Sequence, residues 1–229
     1  MKTILIATRN AHKVSEIRAI LGGQFKFLTL DDFPGAPKTI EDADTFAGNA
    51  TKKTEELANW IVSKDATEGR QAFPDFVLAD DSGLEVDALN GAPGVYSARF
   101  AAMDAKENSA DADNNAKLLR LLKDVPTEKR TARFRCVIAL ATVCADKIES
   151  ASPVCYAGET ETPAFEGACE GRIISELHGK NGFGYDPLFL PDGFKATFAE
   201  LGEDVKNKLS HRAKALEKLK AFFMSKNKP

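Results

Sequence analysis

The chain has 229 residues, of which 43% are hydrophobic and 28% charged, a balance that can bury a sizeable core and excludes disorder or a collagen-like fibre for its bulk. The 31 lysines and arginines against 34 aspartates and glutamates leave a formal charge of −3, which excludes a global attraction for a polyanion and confines any phosphate binding to a local patch. The length suits one larger α/β domain or two tightly joined lobes.

Lys2 is followed by an apolar stretch, Thr3 to Thr8, that stops at Arg9, too short for a secretory signal. The longest apolar run, Cys136 to Ala145, falls well short of a membrane span. The expectation is a soluble, cytoplasmic protein. Cys136, Cys144, Cys155 and Cys169 show no CxxC spacing, so they read as structural thiols in a reducing compartment.

In chain order, TILIAT reads as a buried strand, and the amphipathic pattern Val14, Ile17, Ile20, Leu21 as a helix stopped by Gly22-Gly23. A second helix is expected over 42–62, with Phe46, Ala50, Leu57, Trp60 and Ile61 at helical spacing, before a polar loop from Ser63 to Asp75. Phe76 to Ala79 is strand-like and runs into Asp80-Asp81-Ser82-Gly83, which reads as a turn at a sheet edge before Leu84 to Leu89 resumes a strand. A third helix is expected over 105–123. Arg133 to Ala145 reads as a central strand with a more exposed partner over 154–165, implying an antiparallel or mixed portion of sheet. Gly179 to Gly184 is irregular, Asp186 to Leu190 a short strand, and Glu203 to Phe223 a single basic amphipathic helix.

Four groups of residues could carry chemistry. Thr8-Arg9-Asn10-Ala11-His12-Lys13 lies where a strand turns into a helix, with Asn10 at the N-cap. Basic side chains oppose the helix dipole there by roughly 0.3 to 1 kcal/mol each, so the cluster fits an anion held by free amide groups, and equally a capped helix with solvated charges. Absence of GxxxxGK[ST] argues against a P-loop nucleotidase. The Asp80-Asp81-Ser82 run suits Mg²⁺, which takes one or two carboxylates plus phosphate oxygens, or else is an Asx turn closing a strand. Adjacent strand residues point to opposite faces, so one carboxylate of the pair faces a site. Glu41 and Asp42 become ligands only if folding brings them to Asp81. In Gly182-Phe183-Gly184-Tyr185-Asp186 the glycines permit close backbone approach while Phe183 offers a stacking face. Lys206 and Ser210, followed by His211 and Arg212, share a face of the last helix at i, i+4.

Together these segments closely resemble the Ham1/RdgB family of inosine triphosphate pyrophosphatases over nearly the whole chain. The resemblance rests on ATRNAHK at 7–13, TFAGNATKK at 45–53, LADDSGLEVDALNGAPGVYSARF at 78–100, GFGYDPLF at 182–189 and KNKLSHR at 206–212. It implies an α/β fold of two lobes around a long mixed β-sheet with flanking helices, an active cleft between the lobes, a homodimer and Mg²⁺. It also implies hydrolysis of non-standard purine nucleoside triphosphates (ITP, dITP, XTP) to monophosphate and pyrophosphate.

Carried over by residue, the stretch Thr8 to Lys13 binds substrate, with Thr8, Asn10 and Lys13 on the triphosphate and Lys53 a further phosphate contact. Asp81 becomes the catalytic carboxylate and a magnesium ligand, Glu41 a second acidic ligand and Ser82 a substrate contact. Phe183 stacks on the base, Gly184, Tyr185 and Asp186 line its pocket, and Lys206, His211 and Arg212 read its edge or the adjoining sugar and phosphates. Three departures from the family pattern stand out: Arg9 in place of a frequent glycine, Gly48 in place of a frequent glutamate, and an apparent insertion at Ser63 to Asp75. The rival readings are a Maf-like pyrophosphatase of other nucleotides and a non-catalytic nucleotide-binding module. Asp81 argues against the latter, because a carboxylate near phosphate lowers affinity unless a cation lies between them.

Overall fold

The structure, a computed structural model, describes residues 1–68, 74–102, 108–143 and 162–226. The chain forms two compact units, one built from residues 1–81, 137–165 and 218–229, the other from 82–136 and 166–217.

In the first unit, strand β1 (Thr3–Ile6) runs parallel to β2 (Lys26–Thr29) and to the start of β3 (Phe76–Val86). Ile4, Leu5 and Ile6 are wholly buried, as expected of a strand covered on both faces. Helix α1 (Ala11–Leu21) follows β1 after four residues and ends at Gly22, whose φ of 67° favours glycine. Helix α2 (Phe46–Glu68) contributes Leu57, Ala58 and Ile61 to a core shared with Leu5, Ala7, Leu28, Val77 and Ala79.

In the second unit, α3 (Asp111–Leu121), the strands β4 (Thr131–Thr142), β5 (Ala164–Ile173) and β6 (Phe189–Pro191), and the short α4 (Phe198–Leu201) and α5 (Glu203–Leu209) precede α6 (His211–Lys226). Its core gathers Leu84, Val86, Phe100, Leu118, Phe134, Ile173, Leu188 and Phe198. The strands β3, β4 and β5 and helix α6 each pass from one unit into the other. Among the described residues the sheet has the order β2-β1-β3-β4-β5-β6, and the antiparallel pairing of β5 with β6 makes it mixed, as expected. No helix of the described residues is long and apolar enough to cross a membrane.

Several expectations are corrected. Asp80-Asp81-Ser82-Gly83 is neither a turn nor at a sheet edge: β3 runs unbroken for 11 residues and lies third in the sheet. Turn propensity yields there because both carboxylates find cations, removing the reason to seek local backbone partners. The long C-terminal helix is two helices, broken at Ser210, whose ψ of 162° is extended. Consequently Ser210 does not share a helical face with Lys206; its amide donates to the Lys206 carbonyl at 2.9 Å and closes α5. Helix α2 starts four residues late and continues to Glu68, so part of the apparent insertion is helical, while residues 69–73 lie outside the described residues. The third helix is shorter, 111–121. Most of the exposed strand expected over 154–165 lies outside the described residues, as do Cys144 and Cys155; Cys136 and Cys169 are buried.

Candidate active site

Two groups of polar side chains stand out, one in each unit. The first is assembled by β1, α1, α2 and β3. The Asn10 side chain caps α1, accepting from the amides of His12 at 2.9 Å and Lys13 at 3.2 Å, while the Thr8 hydroxyl accepts from the Asn10 amide at 3.2 Å. The Thr8 to Lys13 turn is thereby fixed before any ligand arrives. Arg9, Ala11 and His12 are exposed on it, and the Arg9 guanidinium donates to the Ala36 carbonyl at 3.0 Å.

The alternation of β3 sends its two aspartates to different helices. Lys13 Nζ on α1 pairs with Asp80 at 2.5 Å; Lys53 Nζ on α2 pairs with Asp81 at 3.0 Å, lies 3.4 Å from Glu41 and donates to the Asp80 carbonyl at 2.9 Å. Glu41 is thus brought to Asp81, whereas its neighbour Asp42 is drawn to Lys52 at 2.6 Å on the surface. Asn49, which the sequence reading passed over, is buried. Its carboxamide accepts from the Ala43 amide at 3.0 Å and donates to the Ala43 carbonyl and to Asp81 at 3.2 and 3.3 Å. One side chain therefore ties the Glu41 segment to the aspartate.

Burial pushes the Asp81 carboxyl above the ordinary aspartate range; Lys53 and Lys13 oppose the rise and Glu41 adds to it. Burial acts the same way on Glu41, but Lys53 and Lys13 outweigh it and hold that carboxyl below its usual value. For Lys53, burial disfavours the charge, yet Asp81 and Glu41 prevail and hold the ammonium above its ordinary value. Two neighbouring acids driven in opposite directions are suited to different tasks, the raised one being the better proton acceptor.

A divalent cation fits the carboxyl contact between Glu41 and Asp81. Among the described residues no three His, Cys, Asp or Glu gather for an all-protein cage, which disfavours zinc or calcium and suits magnesium, content with one or two carboxylates plus water and phosphate oxygens.

The second group lies on β3, the 182–186 loop, α5 and α6. Arg212, wholly buried, donates to the Ser82 hydroxyl at 3.0 Å, and its guanidinium lies 5.9 Å from the Phe183 ring. Lys206 Nζ sits 4.5 Å from that ring and pairs with Asp186 at 2.6 Å, and the same aspartate oxygen accepts from the Phe183 amide at 2.9 Å. His211 stacks on Phe134, with centroids 4.9 Å apart. Two residues read as pocket lining face inward: Asp186 is buried, with its carboxylate between Lys206 and the Phe183 amide, and the buried Tyr185 hydroxyl donates to the Ser97 carbonyl at 2.8 Å. Both serve the loop's shape. Gly182 is required, since its φ is 78° and a Cβ there would lie 2.1 Å from Asp186 Oδ2.

Gly167 on β5 was not singled out from the sequence, although it governs where α6 begins. A Cβ at this position would lie 2.0 Å from the His211 carbonyl oxygen and 2.6 Å from the Ala215 amide. Gly167→Ala is therefore expected to push the first turn of α6, which carries Arg212, away and to cost about 1 to 3 kcal/mol of stability. Thermal melts check this; an unchanged melting temperature would show that β5 yields instead.

Comparison with known proteins places the chain in a family. The model of the Ham1 family matches residues 4–222. A dITP/XTP pyrophosphatase of Geobacter sulfurreducens is 47% identical, covering 96% of each chain, and one of Desulforamulus reducens is 46% identical, covering 94% of this chain and 92% of its own. Among solved structures, a HAM1 protein from Coxiella burnetii superposes with a TM-score of 0.76 at 34% identity, covering 98% of this chain and all of the other.

Proposed function

This chain belongs to the Ham1 family, and from that membership and the two side-chain groups we infer that it hydrolyses non-standard purine nucleoside triphosphates, ITP, dITP and XTP, to monophosphate and pyrophosphate. The family match over nearly the full length displaces the Maf-like and non-catalytic readings. The observation that supports the chemistry most is Asp81: a buried carboxyl with a raised pKa, touching a second carboxylate among lysines.

In this reading the Thr8 to Lys13 turn and Lys53 receive the triphosphate, whose charge must be neutralised before a nucleophile can approach the α-phosphorus. Asp81 and Glu41 would hold magnesium, which when bound would supply electrostatic neutralisation of the phosphates and of the pyrophosphate leaving group. Asp81 orients a water and takes its proton for in-line attack on the α-phosphorus, and Lys13 and Lys53 stabilise the departing pyrophosphate. Lys206 and Lys53 start out paired to Asp186 and Asp81, so both are held in place rather than recruited from solvent.

Phe183 offers a stacking face for the base, while Arg212, which can only donate, and His211 favour a carbonyl at purine C6 over the amino group of adenine. A homodimer, resting on the family resemblance, and a cytoplasmic location, resting on the short apolar runs and the cysteine spacing, complete the proposal; the assignment of the whole chain to one functional domain rests on the resemblance too. The test is a nucleotide panel with Mg²⁺. Monophosphate and pyrophosphate should be the products, and ITP should exceed ATP in kcat/KM by roughly 5- to 150-fold, the effect of leaving a buried donor unpaired. Equal turnover of ATP, or release of single phosphates, overturns the reading.

A further inference from the structure

The two peptides that flank Gly184 are each held by helix α3. The Gly184 amide donates to the Asp111 carboxylate at 2.6 Å, and its carbonyl accepts from the Asn115 carboxamide at 2.9 Å. Asp111 and Asn115 lie at i, i+4, on one face of α3. Gly184 has a φ of 62°, and a Cβ there would meet nothing within 4 Å, so the space around it is open and the grip, with its turn conformation, decides where the two peptides sit.

The Asn115 bond is made at a cost. The residue is 5% exposed, and its Oδ1 is buried with no hydrogen-bond partner among the described residues. Turning the amide over would set Oδ1 against the Gly184 carbonyl, so the Gly184 contact fixes the orientation. Burying an amide group half satisfied is unfavourable, and a core helix position would be filled more stably by leucine. The adjacent Asn114 differs: it accepts from the Ala101 amide at 2.7 Å and donates to the Ala98 carbonyl at 3.4 Å.

We propose that Asp111 and Asn115 are positioning residues for nucleobase selection, fixing the two peptides at Gly184 so that Phe183 on one side of them, and the Lys206–Asp186 pair on the other, hold one geometry. This rests on the reading above that Phe183 stacks on the base. Elsewhere in the loop the Phe183 amide donates to Asp186, the Phe183 carbonyl accepts from the Asp186 amide at 3.3 Å and the Tyr185 hydroxyl donates to Ser97, while the Gly184 amide and carbonyl are themselves held by α3. The two residues touch no reacting group, so their loss should loosen base recognition and spare the phosphate chemistry.

The test compares Asn115→Leu, Asp111→Ala and Asp111→Asn by KM and kcat on ITP and ATP, alongside thermal melts. Asn115→Leu should melt no lower than wild type, raise KM for ITP about 3- to 10-fold, as for a lost neutral hydrogen bond, and keep kcat within about twofold. The ITP to ATP ratio of kcat/KM should fall by a similar factor. Asp111→Ala should act in the same direction and more strongly, because a charge-assisted bond is lost, and Asp111→Asn, which still presents an acceptor, should recover most of the effect. Losses equal for both nucleotides, or effects that follow melting temperature alone, overturn the proposal. Phe183→Ala separates the two levels: if it leaves KM for ITP unchanged, the base reading itself falls, whereas a normal Phe183 effect with inert Asp111 and Asn115 variants removes only the positioning role.

Discussion

Asp81→Asn should keep the fold and lower kcat by about 10²-fold or more, the contribution of a positioned general base together with a lost metal ligand. The change is nearly isosteric, and the Asn49 and Lys53 contacts to that side chain, at 3.3 and 3.0 Å, can persist in part through the remaining oxygen. A second outcome follows from the raised carboxyl. The native state binds this proton more tightly than the unfolded chain does, so the stability it confers is present at low pH and is lost as pH climbs from the ordinary aspartate value through the raised one. Above the raised value that loss is complete, and there the neutral asparagine should melt higher than wild type in magnesium-free buffer. Near-native turnover at saturating Mg²⁺ would remove Asp81 from the mechanism. A lower melting temperature would show that pairing with Lys53 outweighs burial.

Lys53→Met carries the next largest expected effect. The ammonium bridges Asp81, Glu41 and the Asp80 carbonyl from the core face of α2. Losing one charge-assisted contact to phosphate costs about 1.5 to 3 kcal/mol, so kcat/KM for ITP should fall roughly 10- to 150-fold. The pH profile should move as well. Lys53 lowers the Asp81 pKa; without it that pKa rises further, and the acid limb of kcat/KM shifts to higher pH. An acid limb that stays in place while kcat/KM drops would assign Lys53 to substrate alone.

What the sequence disclosed follows from how local each signal is. The Asn10 cap was legible because a cap depends on the two or three residues after it, and the structure has the His12 and Lys13 amides on that side chain. Lys53 was reached only through the resemblance, in TFAGNATKK at 45–53, because a lysine in a helix carries no local sign of the carboxylates it will meet. The Asp80-Asp81-Ser82-Gly83 run misled because its turn propensity is local whereas the lysines that neutralise it come from α1 and α2, 67 and 28 residues away. Ser210 gave no warning either: residues 203–223 keep one amphipathic pattern across the break, so periodicity alone joins α5 to α6. Asn49, Asp111, Asn115 and Gly167 were missed because their importance lies in what touches them, and an isolated asparagine or glycine carries no record of that.

The first turns of the helices divide in a way that bears on the protein's ligand-free state. Helices α3, α4 and α5 each open with acidic residues, matching the dipole, while α1 opens on Ala11-His12-Lys13 and α6 on His211-Arg212, neither with an acid in its first turn. Helix α2 also lacks an acid in its first turn but opens on Phe46-Ala47-Gly48-Asn49 with no cation, so α1 and α6 are the two whose first turns are basic, and each begins within one of the two side-chain groups described above. A cation placed there runs against the helix dipole, an opposition that the Asp80 carboxylate offsets for Lys13 and that an arriving anion would turn into attraction. The ligand would thus complete the charge pattern of the apo enzyme. Occupancy at 100 times Kd already adds about 2.7 kcal/mol of stability, so multivalent anions such as tripolyphosphate should protect the enzyme during purification and storage far better than chloride at equal ionic strength. In a cell the same coupling would make the folded fraction of the enzyme rise with the supply of the nucleotides it removes.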